Sequence, residues 1–356
     1  MSGAEFAGTM PVAERQRFDT DALERYLDAH LAGFSPPLTV EQFRGGQSNP
    51  TFLLTAGDGA RYVLRKQPAG VLLPSAHAVD REFRVIRALF GSAVPVARPL
   101  CLCVDERVIG TMFYVMGYAA GRNFWDPTLP DLSAGERAAI YDEMNRVMVA
   151  LHTLDYLATG LGDYGKPGNY FARQIARWSR QYRASETERI EAMEKLLAWL
   201  PANIPPGEET TLVHGDYRLD NLIFSPDSPR MLAVVDWELS TLGHPLADFS
   251  YHVMLWRVGA GEIRGLAGVD LPALGIPTES EYVASYCRRT GRTGIEPRVW
   301  EFCMAYNLFR IASIRQGIMK RVLEGTAASG HARASGALAR ATAELAWQQV
   351  EQHLGG

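Results

Sequence analysis

The chain has 356 residues, of which 47% are apolar and 21% charged, with a formal net charge of −4. This is the composition of an ordinary globular protein, long enough for two lobes or two small domains. The charge argues against a nucleic-acid-binding surface covering the protein, and no stretch reaches the ~18 apolar residues that a membrane span needs.

Residues 1–17 are small and polar and are expected to be poorly ordered. Met1 to Val12 carries neither a basic head nor an apolar run, so a cytoplasmic protein is expected. From Asp19, a candidate N-cap, residues Leu23, Tyr26, Leu27, His30 and Leu31 share one helical face, and Gly33 and Pro36-Pro37 end the helix. Residues 38–67 read as three strands: Val40 to Arg44, Thr51 to Thr55 and Arg61 to Arg65. Between the first two lies Gly45-Gly46-Gln47-Ser48-Asn49, whose backbone N–H groups are candidates for an anion-binding nest; Gly57-Asp58-Gly59 turns the chain into the third. That third strand ends in two cations, Arg65 and Lys66, and period-two alternation lets only one face any given side. Gln67 to His77 holds Pro68, Gly70 and Pro74 and reads as a loop. Val79, Phe83, Ile86, Leu89 and Phe90 then form a helical stripe with Glu82 beside it. Glu82 reads either as a partner for the strand cation or as an exposed helix residue beside Arg81 and Arg84.

Residues 99–116 read as a strand hairpin, with Cys101 and Cys103 facing one side of a strand. The four cysteines show no metal-ligand spacing and are expected to be reduced. After Gly117-Tyr118-Ala119-Ala120-Gly121 the chain turns helical. Glu136 to Leu154 carries Ile140, Met144, Val147, Met148 and Leu151 on one face, followed by His152 as a structural histidine, and Arg173 to Leu200 holds at least one further helix. Two short apolar runs, Thr211 to Val213 and Leu232 to Val235, then deliver acidic residues at or just past their ends, Asp216 and Asp236. Glu238 is two residues further on, and the last hundred residues are helical, punctuated by Gly and Pro.

Asp216, Asn221 and Asp236 offer hard oxygen atoms of the kind Mg²⁺ takes beside substrate phosphates. His214-Gly215-Asp216, four residues and Asn221, then a later Asp, parallels the kinase pattern His-Arg-Asp, four residues and Asn, with Gly in the Arg slot. In that form the motif resembles the aminoglycoside phosphotransferase and choline kinase group. More narrowly, residues 45–52, the run from Tyr62 to Ala88, and His214 to Asn221 resemble the kinase-like domain that some proteins carry fused to an acyl-CoA dehydrogenase. The resemblance spans roughly residues 38–255.

It implies an α+β, protein-kinase-like two-lobed fold, with a small antiparallel-sheet N-lobe and a larger, mostly helical C-lobe. The expected divisions are 1–37 for the tail and first helix, 38–118 for the N-lobe and 119–356 for the C-lobe. It implies ATP and Mg²⁺ as cofactors. Gly45, Gly46, Gln47, Ser48 and Asn49 would lie over the phosphates, and Arg65 would hold them, paired with Glu82, with Lys66 a solvated neighbour. Gly117 and Ala119 would hydrogen-bond the adenine. Asp216 would be the base, Arg218 would meet the γ-phosphate, Asn221 and Asp236 would bind Mg²⁺, and Glu238 is a candidate for a second metal. Asp248 resembles the buried aspartate that braces the catalytic loop in kinase folds.

The acceptor is expected to be a small hydroxylated molecule. Residues 251–356 hold twelve Lys or Arg against nine Asp or Glu, a net of +3, which favours an anionic acceptor such as a hydroxyacyl-CoA or hydroxy acid over a polycationic aminoglycoside. Scattered solvated arginines are the bland alternative. Competing readings are an aminoglycoside or choline-type kinase, a non-catalytic nucleotide-binding module, and an acyl-CoA dehydrogenase, for whose flavin scaffold no segment is left over.

Overall fold

The computed structural model describes residues 8–44, 49–68, 78–259, 265–326 and 332–355. The chain divides into two compact units. The first comprises residues 1–130, 157–164 and 218–240, and the second residues 131–156, 165–217 and 241–356. Residues 119–130, 157–164 and 218–240 thus belong to the same unit as the first sheet.

The first unit is built on an antiparallel sheet in the order β1-β2-β3-β4-β6-β5, formed by β1 (Thr9–Met10), β2 (Thr39–Phe43), β3 (Thr51–Thr55), β4 (Arg61–Lys66), β5 (Pro99–Cys103) and β6 (Phe113–Gly117). The Asp58 carboxylate accepts from the Ala60 N–H and so closes the β3–β4 turn. One sheet face, carrying Phe52, Leu54, Leu64, Phe113, Val115 and Cys103, buries itself against Leu23, Leu27 and Leu31 of α1 (Thr20–His30). That helix starts where the Asp19 side chain accepts from the Ala22 N–H at 2.8 Å. Of residues 1–17, expected to be poorly ordered, 1–7 lie outside the described residues, and Thr9 and Met10 are tied to the sheet. Thr9 and Met10 pair with Phe43 and Gln42, and the Phe18 ring meets Phe52 edge-on at 5.1 Å.

The other sheet face meets α2 (Val79–Leu89), whose Phe83 ring lies 5.8 Å from Tyr114. The buried stripe of α2 is Val79, Glu82, Val85, Ile86 and Leu89, while Phe90, placed on that stripe from sequence, is exposed. Residues 69–77 of the expected loop lie outside the described residues. A second sheet of the unit joins β7 (Arg122–Asn123), β9 (Leu222–Phe224) and β10 (Met231–Val234) in the order β10-β9-β7. The strand β9 was not apparent from sequence, because three residues are too few to show a period.

The second unit is mostly helical, with α3 (Ala134–His152), α4 (Tyr170–Ser185), α5 (Glu191–Ala202) and α6 (Pro245–Val253), followed by Glu279–Thr290, the long helix Pro297–Leu323 and Ala339–Leu354. Ser133 and Glu136 close a capping box at the start of α3. A two-stranded antiparallel ribbon, β8 (Thr211–Val213) with β11 (Thr241–Gly243), carries the chain into the His214 loop. Every residue of α6 is buried. No helix among the described residues is long and apolar enough to cross a membrane.

Candidate active site

In the first unit, alternation along β4 sends Arg65 and Lys66 to opposite faces. Arg65 is buried toward α2. Its Nε lies 3.2 Å from Glu82 Oε2, its Nη2 2.6 Å from Asp236 Oδ1 and 3.5 Å from Glu238 Oε2. Glu82 is 1% exposed and also accepts from Asn49 Nδ2 at 2.7 Å and from the Tyr114 hydroxyl at 3.1 Å. Burial pushes its carboxyl up to about 7, against the opposing pull of Arg65. Glu82 is therefore an inward ion-pair partner. Arg81 and Arg84 turn instead to the carbonyls of Tyr164 and Gly160.

Lys66 departs from the solvated neighbour expected of it. It is 4% exposed, its Nζ lies 5.9 Å from the Phe52 ring centroid, and burial lowers its pKa. It shares the Leu64 side of the strand, the side that packs on α1.

Asp236 follows β10 in a left-handed conformation, φ 67 and ψ 59, which Asp tolerates better than most residues, and opens a 3-10 turn, Trp237–Leu239. The turn is fixed by the Trp237 indole donating to the Val234 carbonyl at 2.9 Å and by the Tyr164 hydroxyl 2.7 Å from Ser240 Oγ. Asn221 closes another 3-10 turn, Leu219–Asn221, and its carbonyl accepts from the Val235 N–H at 2.9 Å. One backbone bond thus ties the Asn221 turn to the residue before Asp236.

Asn221, Asp236 and Glu238 supply only hard oxygen donors. Among the described residues no group of three or more His, Cys, Asp and Glu could hold a metal by itself. Such a donor set fits Mg²⁺, which binds through one or two carboxylates together with substrate phosphates rather than in an all-protein cage.

The other predicted residues of this unit stand as follows. Gly45, Gly46, Gln47 and Ser48 lie outside the described residues, and the Asn49 side chain is buried on Glu82 rather than open to a phosphate. The Gly117 N–H donates to the Arg98 carbonyl at 2.8 Å, so its N–H is spent within the sheet; Ala119 is half-buried. Arg218 pairs with Asp220 at 3.2 Å.

In the second unit, β8 ends at Val213, and His214 follows it. Gly215 takes φ 81, a left-handed conformation favoured by glycine, and this accounts for Gly in the slot where the kinase pattern has Arg. The turn sends two consecutive N–H groups to one carboxylate. Asp248 Oδ2 accepts from the His214 N–H at 2.7 Å and Oδ1 from the Gly215 N–H at 2.8 Å. His152 Nε2 lies 3.2 Å from Asp248 Oδ2 and its Nδ1 2.8 Å from the Tyr286 hydroxyl. An ionised carboxylate only accepts, so His152 donates to Asp248 from Nε2. Burial alone would raise the Asp248 pKa, but the His152 hydrogen bond, the two imidazoles and the His214 N–H outweigh it and hold the group below the ordinary carboxylate range.

Asp216, at the end of this turn, is half-buried and accepts from the Tyr251 hydroxyl at Oδ1 over 2.5 Å. Tyr251 and Arg310, whose Nη2 donates to the Gly215 carbonyl at 2.7 Å, were missed from sequence. The first had a signal: Tyr251 stands three residues after Asp248 on α6, so both reach the same loop. Arg310 had none.

Among the described arginines of the C-terminal segment some are paired or buried, while Arg288, Arg298, Arg321 and Arg333 are exposed. Arg257 pairs with Glu279 and Glu301, Arg289 with Asp142, Arg292 with Glu209 and Arg340 with Glu188, while Arg310 and Arg315 are buried. Three of these arginines thus pair with carboxylates outside the counted segment. A cavity of about 760 Å³ in this unit is lined by Arg257, Cys287, Arg292 and Trp300, and none of the motif residues lines it.

Residues 39–286 match the phosphotransferase enzyme family. The chain is 48% identical to acyl-CoA dehydrogenase family member 10 of Mus musculus over 342 residues, which is 95% of this chain and 32% of that protein. The curated relatives are matched over only 32–43% of their own length. A crystal structure from Ralstonia eutropha, described as a candidate aminoglycoside phosphotransferase, is 55% identical with a TM-score of 0.86, covering 94% of this chain and 99% of that one. Spectinomycin phosphotransferase, solved with ADP and spectinomycin, shares the fold at 12% identity and TM-score 0.60, covering 94% of this chain and 99% of that one.

Proposed function

Since the chain belongs to the phosphotransferase enzyme family, with a protein-kinase-like α+β fold, we propose that it transfers the γ-phosphoryl group of ATP to a hydroxyl of a small molecule. The observation that carries this reading is the meeting of Arg65 and Asp236 at 2.6 Å with Glu82 behind them. The cation proposed for phosphate and the carboxylate proposed for the metal stand at one place, and the cation is itself held by a buried carboxylate.

Arg65 would bind the α- and β-phosphate oxygens through its fork of N–H groups. The Gly117 carbonyl and the Ala119 N–H would receive the adenine, and residues 45–48 would lie over the phosphates. Asn221 and Asp236 would hold Mg²⁺, with Glu238 as a further oxygen donor. Bound there, the ion would neutralise charge on the phosphate oxygens. Arg218 would leave Asp220 for the γ-phosphate. Asp216 would orient the acceptor hydroxyl and take its proton as the oxygen–phosphorus bond forms and the bond to the ADP oxygen breaks.

For the acceptor, the relatives named as acyl-CoA dehydrogenase family members favour a hydroxyacyl-CoA or a hydroxy acid. The Ralstonia eutropha structure favours an aminoglycoside as the second reading. The test is coupled ADP release with Mg-ATP over 3- and 4-hydroxyacyl-CoAs, free hydroxy acids, choline and kanamycin, beside Asp216→Asn. Turnover confined to the hydroxyacyl compounds, and lower by about 10²–10⁴ in the variant, is expected. Turnover on kanamycin would overturn the acceptor, and ATP binding with no acceptor-dependent turnover would overturn the kinase.

A further inference from the structure

Two side chains to which phosphoryl transfer gives no task converge on the loop that carries Asp216. Tyr251 donates its phenolic hydrogen to Asp216 Oδ1 over 2.5 Å, a length typical of a hydroxyl on an ionised carboxylate. Arg310 holds the carbonyl of Gly215, the residue just before Asp216, at 2.7 Å. The same guanidinium lies over the Tyr251 ring, 4.8 Å from its centroid, and 5.6 Å from that of Trp178. Arg310 is 7% exposed, fixed on the long helix, and Tyr251 rises from α6, all of whose residues are buried. The phenol is thus clamped between a rigid helix and a buried cation.

A carboxylate has a broad χ2 torsion, so fixing one of its oxygens also sets where the other points. We propose that Tyr251, backed by Arg310, is a positioning residue for Asp216. Its hydrogen bond fixes Oδ1 and thereby presents Oδ2 to the acceptor hydroxyl. Since the phenol already places a hydrogen on Oδ1, the proton leaving the acceptor goes to Oδ2. The phenol keeps its own hydrogen throughout and exchanges nothing with the substrate. Arg310 adds a second restraint: it fixes the peptide from which Asp216 projects and prevents the ring from swinging away. Catalytic groups need placement to roughly 0.5 Å, and two torsions locked at opposite ends of one residue provide it.

This inference rests on the reading of Asp216 as the base, and the experiment separates the two. Tyr251→Phe keeps the ring over Arg310 and removes only the donor. In steady-state assays of the full chain, kcat is expected to fall roughly 10-fold or more, with KM for ATP within about twofold and the melting temperature near that of the wild type. In the Asp216→Asn background the same change is expected to cost less than about twofold, because nothing remains to position. An equal loss in both backgrounds would overturn the proposal, as would an unchanged kcat in the wild-type background. Crystal structures of the wild type and Tyr251→Phe give a readout independent of turnover. Asp216 should leave its Oδ1 position in the variant; an unmoved carboxylate would overturn the positioning role. A wild type inactive on every acceptor would count against phosphoryl transfer alone, and the crystallographic comparison would still decide the role of Tyr251.

Discussion

Replacing Asp248 by Asn tests whether one buried carboxylate holds the His214–Asp216 turn. Asp248 is 4% exposed and receives three donors: the N–H groups of His214 and Gly215 and the His152 Nε2 proton. An amide has one acceptor atom. With its oxygen kept at the Oδ2 position, its NH₂ group confronts the Gly215 N–H, leaving a buried donor unpaired at about 1–3 kcal/mol. The other two bonds lose their charge assistance, about 1 kcal/mol each. The sum, roughly 3–5 kcal/mol, is a large part of an ordinary folding free energy of about 5–15 kcal/mol. Urea unfolding at pH 7.5 measures it, and kcat should fall with it because Asp216 ends the same turn. Since the folded-state pKa of Asp248 is depressed, its contribution is complete above the ordinary carboxylate range and is lost as pH falls through the lowered value. The variant should lack that acid-dependent part. A loss under about 1 kcal/mol, with kcat preserved, would refute the brace.

Arg65→Lys removes the fork that touches Glu82, Asp236 and Glu238 together, and calorimetry should show Mg-ATP binding weakened about 10-fold. Lys66→Met removes a buried ammonium from the α1 side of the sheet; nucleotide affinity should be unchanged and the melting temperature no lower, whereas a loss of affinity would mean that the wrong cation has been assigned to phosphate. Burial lowers both His244 and His252 to about 4 in the folded state. The unfolded chain takes up protons below about pH 6.5 that these two refuse, so stability should fall as pH drops from 6.5 toward 4, by order 2 kcal/mol per histidine between pH 6.5 and 5. Urea midpoints at pH 7.5 and 5 check this, and His252→Gln should remove about half of the drop.

What could be read from sequence was whatever is written in short, local patterns. The Asp19 cap, the Gly57–Gly59 turn and the strands around Thr51 to Arg65 are each fixed by neighbours a few residues away, and the structure places them there. The spacing of Asp216, Asn221 and Asp236 was equally local. The misjudged residues depend on distant partners. Lys66 looks solvated until β6 and α1 enclose its side of the sheet. Arg310 looks like one cation among twelve until the long helix carries it to the Gly215 carbonyl, 95 residues away in sequence. The charge of a segment is likewise a long-range matter, since Arg289 and Arg292 find their carboxylates at Asp142 and Glu209, outside the counted segment. Gly215 shows the gain in the other direction. Its departure from the kinase pattern is explained once its φ of 81 is seen to aim two N–H groups at Asp248.

The proposed phosphoryl transfer to a hydroxyl depends on Asp216. The most direct measurement is ³¹P NMR of the full chain with Mg-ATP and a 4-hydroxyacyl-CoA, beside Asp216→Asn. A new phosphomonoester resonance growing in step with ADP, and nearly absent with the variant, is predicted. ADP accompanied only by inorganic phosphate, or an ester that forms equally fast without the Asp216 carboxylate, would contradict the account.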